Sequence, residues 1–99
     1  MLKVQRSADS GRIMLAVSGR LAVDNVHLLL HALDTEPRDS PIVLVLGELR
    51  LVDRFGIAFL ARCEADGIAL RDCPPFIRRW IDSLREQEYM SGQGSTRPG

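Results

Sequence analysis

Neither sign of charge is in excess in this 99-residue sequence: 13 basic and 13 acidic residues cancel to a formal net charge of zero. A general nucleic-acid binder needs a basic footprint to neutralise phosphates, so that class is disfavoured, and nothing here attracts an anionic membrane. Long apolar runs are also missing. None exceeds the strand-sized length of Ile42-Val43-Leu44-Val45-Leu46, far below the ~20 residues of a spanning helix. The opening residues Met1-Leu2-Lys3-Val4-Gln5-Arg6 have no apolar stretch of the signal-peptide kind. Only two cysteines occur, Cys63 and Cys73, outside any Cys-x-x-Cys or zinc-ligand spacing. The expectation is a cytoplasmic chain whose thiols stay reduced.

Chemical motifs are equally sparse. Gly11, Gly19, Gly47, Gly56 and Gly67 are scattered turn and cap positions that form neither a phosphate-binding loop nor a dinucleotide fingerprint. No serine or cysteine has a base and an orienting third group nearby in sequence: Ser18 closes a strand, Cys63 falls inside a helix, and both histidines share a different helix. His27, His31 and Asp34 fall on one helical face at a spacing a metal could use, but two histidines without a clear third ligand are insufficient. We expect no catalytic residues, no metal and no cofactor.

What is present is one folding unit with a regular rhythm. With 45% hydrophobic and 26% charged residues, the composition is that of an ordinary globular domain. Residues 2–7 and 12–18 alternate apolar and polar around the turn signal Asp9-Ser10-Gly11, which predicts two antiparallel strands. Asp24 is the expected N-cap of a helix reaching Asp34, with Val26, Leu29, Leu30 and Leu33 as its buried stripe. The unbroken run 42–46 suits a central strand covered on both faces, with 48–52 as a connector. Asp53 caps a second helix that Gly67 ends, residues 68–70 form a short strand, and Pro74-Pro75 open a third helix. Its predicted buried stripe is Ile77, Trp80, Ile81 and Leu84. The order is ββαβαβα, an α/β mixed sheet packed with helices; two βα crossovers make the later strands parallel, with right-handed connections expected. The folded unit is expected over residues 1–88, with 89–99 a disordered Gly/Ser-rich tail.

The segment Leu51-Val52-Asp53-Arg54-Phe55-Gly56 joins strand to helix, where α/β domains commonly place a functional loop. Asp53, Arg54, Phe55 and Gly56 are therefore the candidate partner-binding residues, with a plain helix cap as the competing reading. Periodicity leaves open whether Phe55 faces sheet or solvent. The alternative use of the junction is a small-ligand or nucleotide site, with free backbone N–H groups seating a phosphate.

With these residues in place, the chain resembles the STAS family, the sulfate transporter and anti-sigma factor antagonist domains. Val17-Ser18-Gly19-Arg20-Leu21 resembles the family's strand ending in Gly-x-Leu-Asp; the stretch from Ile42 to Asp53 resembles its apolar strand and the run to an acidic residue. Gly56-Ile57-Ala58-Phe59-Leu60 resembles the helix that follows, and Gly67-Ile68-Ala69-Leu70 with Pro74-Pro75-Phe76-Ile77-Arg78-Arg79-Trp80-Ile81 the last strand and helix. The resemblance spans about Leu2 to Leu84. It implies a STAS-like fold and a non-catalytic protein–protein interaction module of bacterial regulatory type, whose partner is an anti-sigma factor, a kinase-like protein or a transporter ATPase. It also implies a departure. Where the family carries a phosphorylatable serine or threonine, this chain has Arg54 and Phe55, and two of the family's acidic positions are Ala22 and Val45. No phosphorylation is expected at this motif, which leaves a binding module without the usual serine phospho-switch.

Overall fold

The computed structural model describes residues 1–37 and 39–96, with side chains described as far as Gln87. Two strands open the chain, β1 (Leu2–Asp9) and β2 (Arg12–Leu21), paired antiparallel with Asp9 opposite Arg12. Ser10 and Gly11 alone connect them, at φ +53° and +80°. Two positive φ values in succession define the type I′ turn, whose twist matches that of a hairpin.

Helix α1 (Val26–Asp34), strand β3 (Ile42–Val52), helix α2 (Arg54–Ala65), strand β4 (Ala69–Arg71) and helix α3 (Pro75–Thr96) follow. The described residues form one four-stranded mixed sheet in the order β1-β2-β3-β4, with β3 parallel to both neighbours. The α/β class, the element order and the central place of the 42–46 run are as the sequence predicts.

Covering on both faces is corrected. Residues paired across strands share a face, and Ile13, Leu15, Val17, Leu44 and Leu46 join Leu29, Ile57, Leu60, Ile77 and Ile81 of the helices in one core. The opposite face carries Met14, Ala16, Val43 and Val45, which lie outside that core. Val43 is buried there between its ladder partners Met14 and Ala69. The unbroken apolar run thus reflects one face packed by helices and one shielded mainly by neighbouring strands.

Several boundaries also move. The expected connector 48–52 is strand, because the ladder with β2 resumes after two irregularities and runs to Leu21↔Val52. The short β4 starts one residue late: the Ile68 amide donates to the Cys63 carbonyl at 3.0 Å and Gly67, at φ +97°, to Glu64 at 3.1 Å, which completes the αL end of α2. Asn25, not Asp24, holds the position before α1. Its side chain accepts from the Ala22 amide at 2.8 Å and donates to the Arg20 carbonyl at 3.0 Å, while Asp24 pairs with Arg20.

In α1 the buried stripe is narrower than expected: Leu29 is sealed and Val26 and Leu33 are partly buried, but Leu30 is 47% exposed. It sits about 100° round the helix from Leu29, beyond the reach of the sheet. In α3, Ile77 and Ile81 are sealed and Leu84 half-buried, whereas Trp80 is 39% exposed. The helical backbone of α3 runs through the predicted tail as far as Thr96. Once a helix exists each added residue gains a hydrogen bond, and Pro98 is the first later residue that cannot donate one. Residues 97–99 of that predicted tail lie outside the described residues.

Candidate functional site

At the end of β3 the chain enters α2 through Asp53, whose extended backbone (φ −92°, ψ −179°) turns the side chain back over the first helical turn. One carboxylate oxygen accepts from the Gly56 amide at 2.9 Å. The other accepts from the Val23 amide at 3.0 Å, in the loop between β2 and α1. The Asp53 amide donates to the Leu21 carbonyl at 3.2 Å. This residue therefore ties two strand-to-helix junctions together, and the amides of Gly56 and Val23, in that order, hold its carboxyl below the usual carboxylate range.

A depressed folded-state pKa adds stability that is present above the unfolded-state value and lost as pH falls through the folded one. We therefore expect Asp53→Ala to lower Tm by about 5 °C at pH 7. The gap from the parent protein should narrow as pH falls below the ordinary carboxylate value of about 4 and close only once pH has fallen through the parent's depressed folded-state value. A gap that does not depend on pH would assign the loss to packing instead.

Gly56 is buried, and a Cβ there would meet the Leu21 carbonyl oxygen and a Val52 methyl. Its two predecessors face outward. Arg54 is exposed, and none of the ion pairs among the described residues involves it. Phe55 is 54% exposed, so the choice left open by periodicity falls to solvent. Of the four predicted partner-binding residues, two present side chains outward, while Asp53 and Gly56 shape the turn beneath them.

Arg54 and Phe55 do not stand alone. With Ala58 of α2 they face Trp80, Leu84 and Gln87 of α3 across a groove of about 510 Å³. Sequence reasoning missed this pairing because Trp80 falls on the helical stripe that predicts burial. A signal was present: Trp80 is at the margin of that stripe, whose centre Ile77, Ile81 and Leu84 already fill, and it is the chain's sole tryptophan.

Elsewhere the described side chains offer little chemistry. His27, His31 and Asp34 are exposed on α1, and no group of metal-ligating side chains is assembled among the described residues. The Cys63 thiol is pushed up to about 12, mainly by burial, and Cys73 is also raised by burial; both are unpaired. Ordinary thiol reactivity at neutral pH requires the thiolate, which burial suppresses here. A larger hollow of about 840 Å³ lies at the other end of β3, lined by Asp34, Glu36, Asp39 and Asp66 among others. There Glu36 is held by Arg6 at 2.7 Å. No helix among the described residues is long and apolar enough to cross a membrane. No protein-family model matches the chain, and no curated protein matches it.

Proposed function

We propose that this chain is a non-catalytic, STAS-like protein–protein interaction module, a bacterial regulatory or scaffolding protein that works in the cytoplasm without the usual serine phospho-switch. The observation that carries the reading is the exposure of Phe55 beside Arg54 at the head of α2, with half-exposed Trp80 across the groove. Large apolar side chains exposed together mark interaction surfaces, and Trp, aromatic and Arg side chains dominate binding energy where they meet a partner. By resemblance, the partner is an anti-sigma factor, a kinase-like protein or a transporter ATPase.

The alternative, a nucleotide or other small ligand seated on this junction, has less support. Gly56's amide already donates to the Asp53 carboxylate, so an arriving phosphate would meet a negative charge where it needs a donor. Calorimetric titration of proteins encoded beside this chain separates the readings. Phe55→Ala should weaken binding by about 2 kcal/mol or more with an unchanged melting curve. Stabilisation by a few kcal/mol in excess nucleotide, with no protein partner, would establish the alternative instead. Because Arg54 and Phe55 carry no hydroxyl, incubation with a cognate kinase should add no phosphate at this junction by peptide mass mapping. A phosphate mapped to Ser18 or Ser40 would restore a switch and overturn the unswitched reading.

A further inference from the structure

Charge is distributed unevenly about α3. On the flank that meets Glu64, cations and anions cancel. Arg78 donates to both Glu64 oxygens, at 2.9 and 2.8 Å, and to Asp82 at 3.0 Å. Arg85 reaches the same Glu64 carboxylate at 2.9 Å. On the groove side of α3, Arg54 lines the groove, while Arg79, about 100° round the helix from Trp80, is exposed. Neither is in an ion pair among the described residues. Beside Arg54 the groove is walled by Phe55, Ala58, Trp80 and Leu84.

We infer that this groove receives an amphipathic helix of a protein partner whose apolar stripe is flanked by acidic side chains. The inference rests on the proposed protein-binding role and names the chemistry of the partner. Complementary charge is its first support. The α2 N-terminus is already capped by the Asp53 carboxylate, so an arriving carboxylate is drawn by the Arg54 guanidinium, which no ion pair among the described residues neutralises. Shape is the second. Trp80, Leu84 and Gln87 stand at i, i+4 and i+7 and span about 10 Å of α3, enough to face two successive anchors of another helix.

The backbone supplies the third support. An extended peptide relies on a sheet edge to pair its amides and carbonyls. The edges of this sheet are β1 and β4, and no residue of either lines the groove. A helix arrives with its backbone bonds already made.

The sole tryptophan sits in the groove and reports on it directly. The probe is a helix-forming peptide with leucines at i, i+4 and i+7 and glutamates on both flanks, titrated against the full chain. It should shift the emission of Trp80, and the peptide with lysine in place of every glutamate should not. Arg54→Glu should weaken the glutamate peptide by roughly tenfold, and raising salt from about 50 to about 300 mM should weaken it several-fold. In parallel, an unbiased library of displayed peptides selected on the full chain should enrich acidic amphipathic helices that lose binding to Phe55→Ala.

Equal binding of the lysine peptide, or unchanged affinity of Arg54→Glu, overturns the acidic-helix inference. Selected peptides that need Phe55 but carry no acidic flank overturn it too, while leaving the protein-binding role standing. Selected peptides indifferent to Phe55, or none at all, overturn both.

Discussion

Ile57→Ala is expected to remove about 3 kcal/mol of folding stability, whereas Phe55→Ala, two residues earlier on the same helix, should cost less than about 0.5 kcal/mol. Ile57 is sealed, packed in the core shared by the sheet and all three helices. Truncating it loses the transfer free energy of three carbons and leaves a cavity that its rigid neighbours cannot close. Against the 5–15 kcal/mol typical of a whole domain, that is a large share. It should appear as a fall in midpoint of roughly 15 °C. Phe55 keeps more than half of its surface in water. Alanine there gives up partial contact with the groove, and the higher helix propensity of alanine offsets some of the loss. Paired denaturant melts decide the matter. Equal losses in the two variants would mean that Phe55 is a core residue and that the surface proposed for a partner is misplaced.

The contrast between these neighbours also marks how far the sequence could be read. Element order, the hairpin, the central strand and the glycine at the end of α2 follow from alternation, turn residues and caps, all local in the chain. What local pattern could not supply was the number of layers. The run Ile42-Val43-Leu44-Val45-Leu46 looks alike whether helices cover both faces or one, and only the shared direction of the crossovers from β2 to β3 to β4 separates the cases. The same ambiguity governs Leu30 and Trp80. Each falls on or beside an apolar stripe, but a helix that packs on one side only needs a narrow stripe, so residues at its margin emerge into solvent. The strand-to-helix junction was legible as a site because an acidic cap, a cation, an aromatic and a glycine occur together. The roles of its members were not. Asp53 reads as a cap for α2 alone, and its second bond, to Val23, joins residues 30 apart in the chain.

Gly56 supplies the other large effect, with a sign opposite to that expected of an ordinary helical glycine. Glycine to alanine inside a helix normally gains up to about 1 kcal/mol. Here a Cβ would stand 2.6 Å from the Leu21 carbonyl oxygen and 2.7 Å from a Val52 methyl. Neither neighbour is free to yield. The Leu21 carbonyl accepts the Asp53 amide, Leu21 is sealed in the core, and Leu21 and Val52 are ladder partners at the end of the sheet. Relief must come from α2 moving outward, which strains the bond from the Gly56 amide to Asp53 and shifts Arg54 and Phe55 with it. We expect Gly56→Ala to destabilise by about 2 kcal/mol net, as overpacking does. It should also weaken partner binding, although Gly56 itself is buried. Gly47→Ala is the control: the nearest atom to its added methyl is the Asp72 Cβ at 3.5 Å, an ordinary contact. With no clash and a less flexible unfolded chain, it should be neutral or stabilising by up to about 1 kcal/mol. If the two variants melted alike, the close packing of α2 on the end of the sheet would not be what orients the Arg54–Phe55 surface.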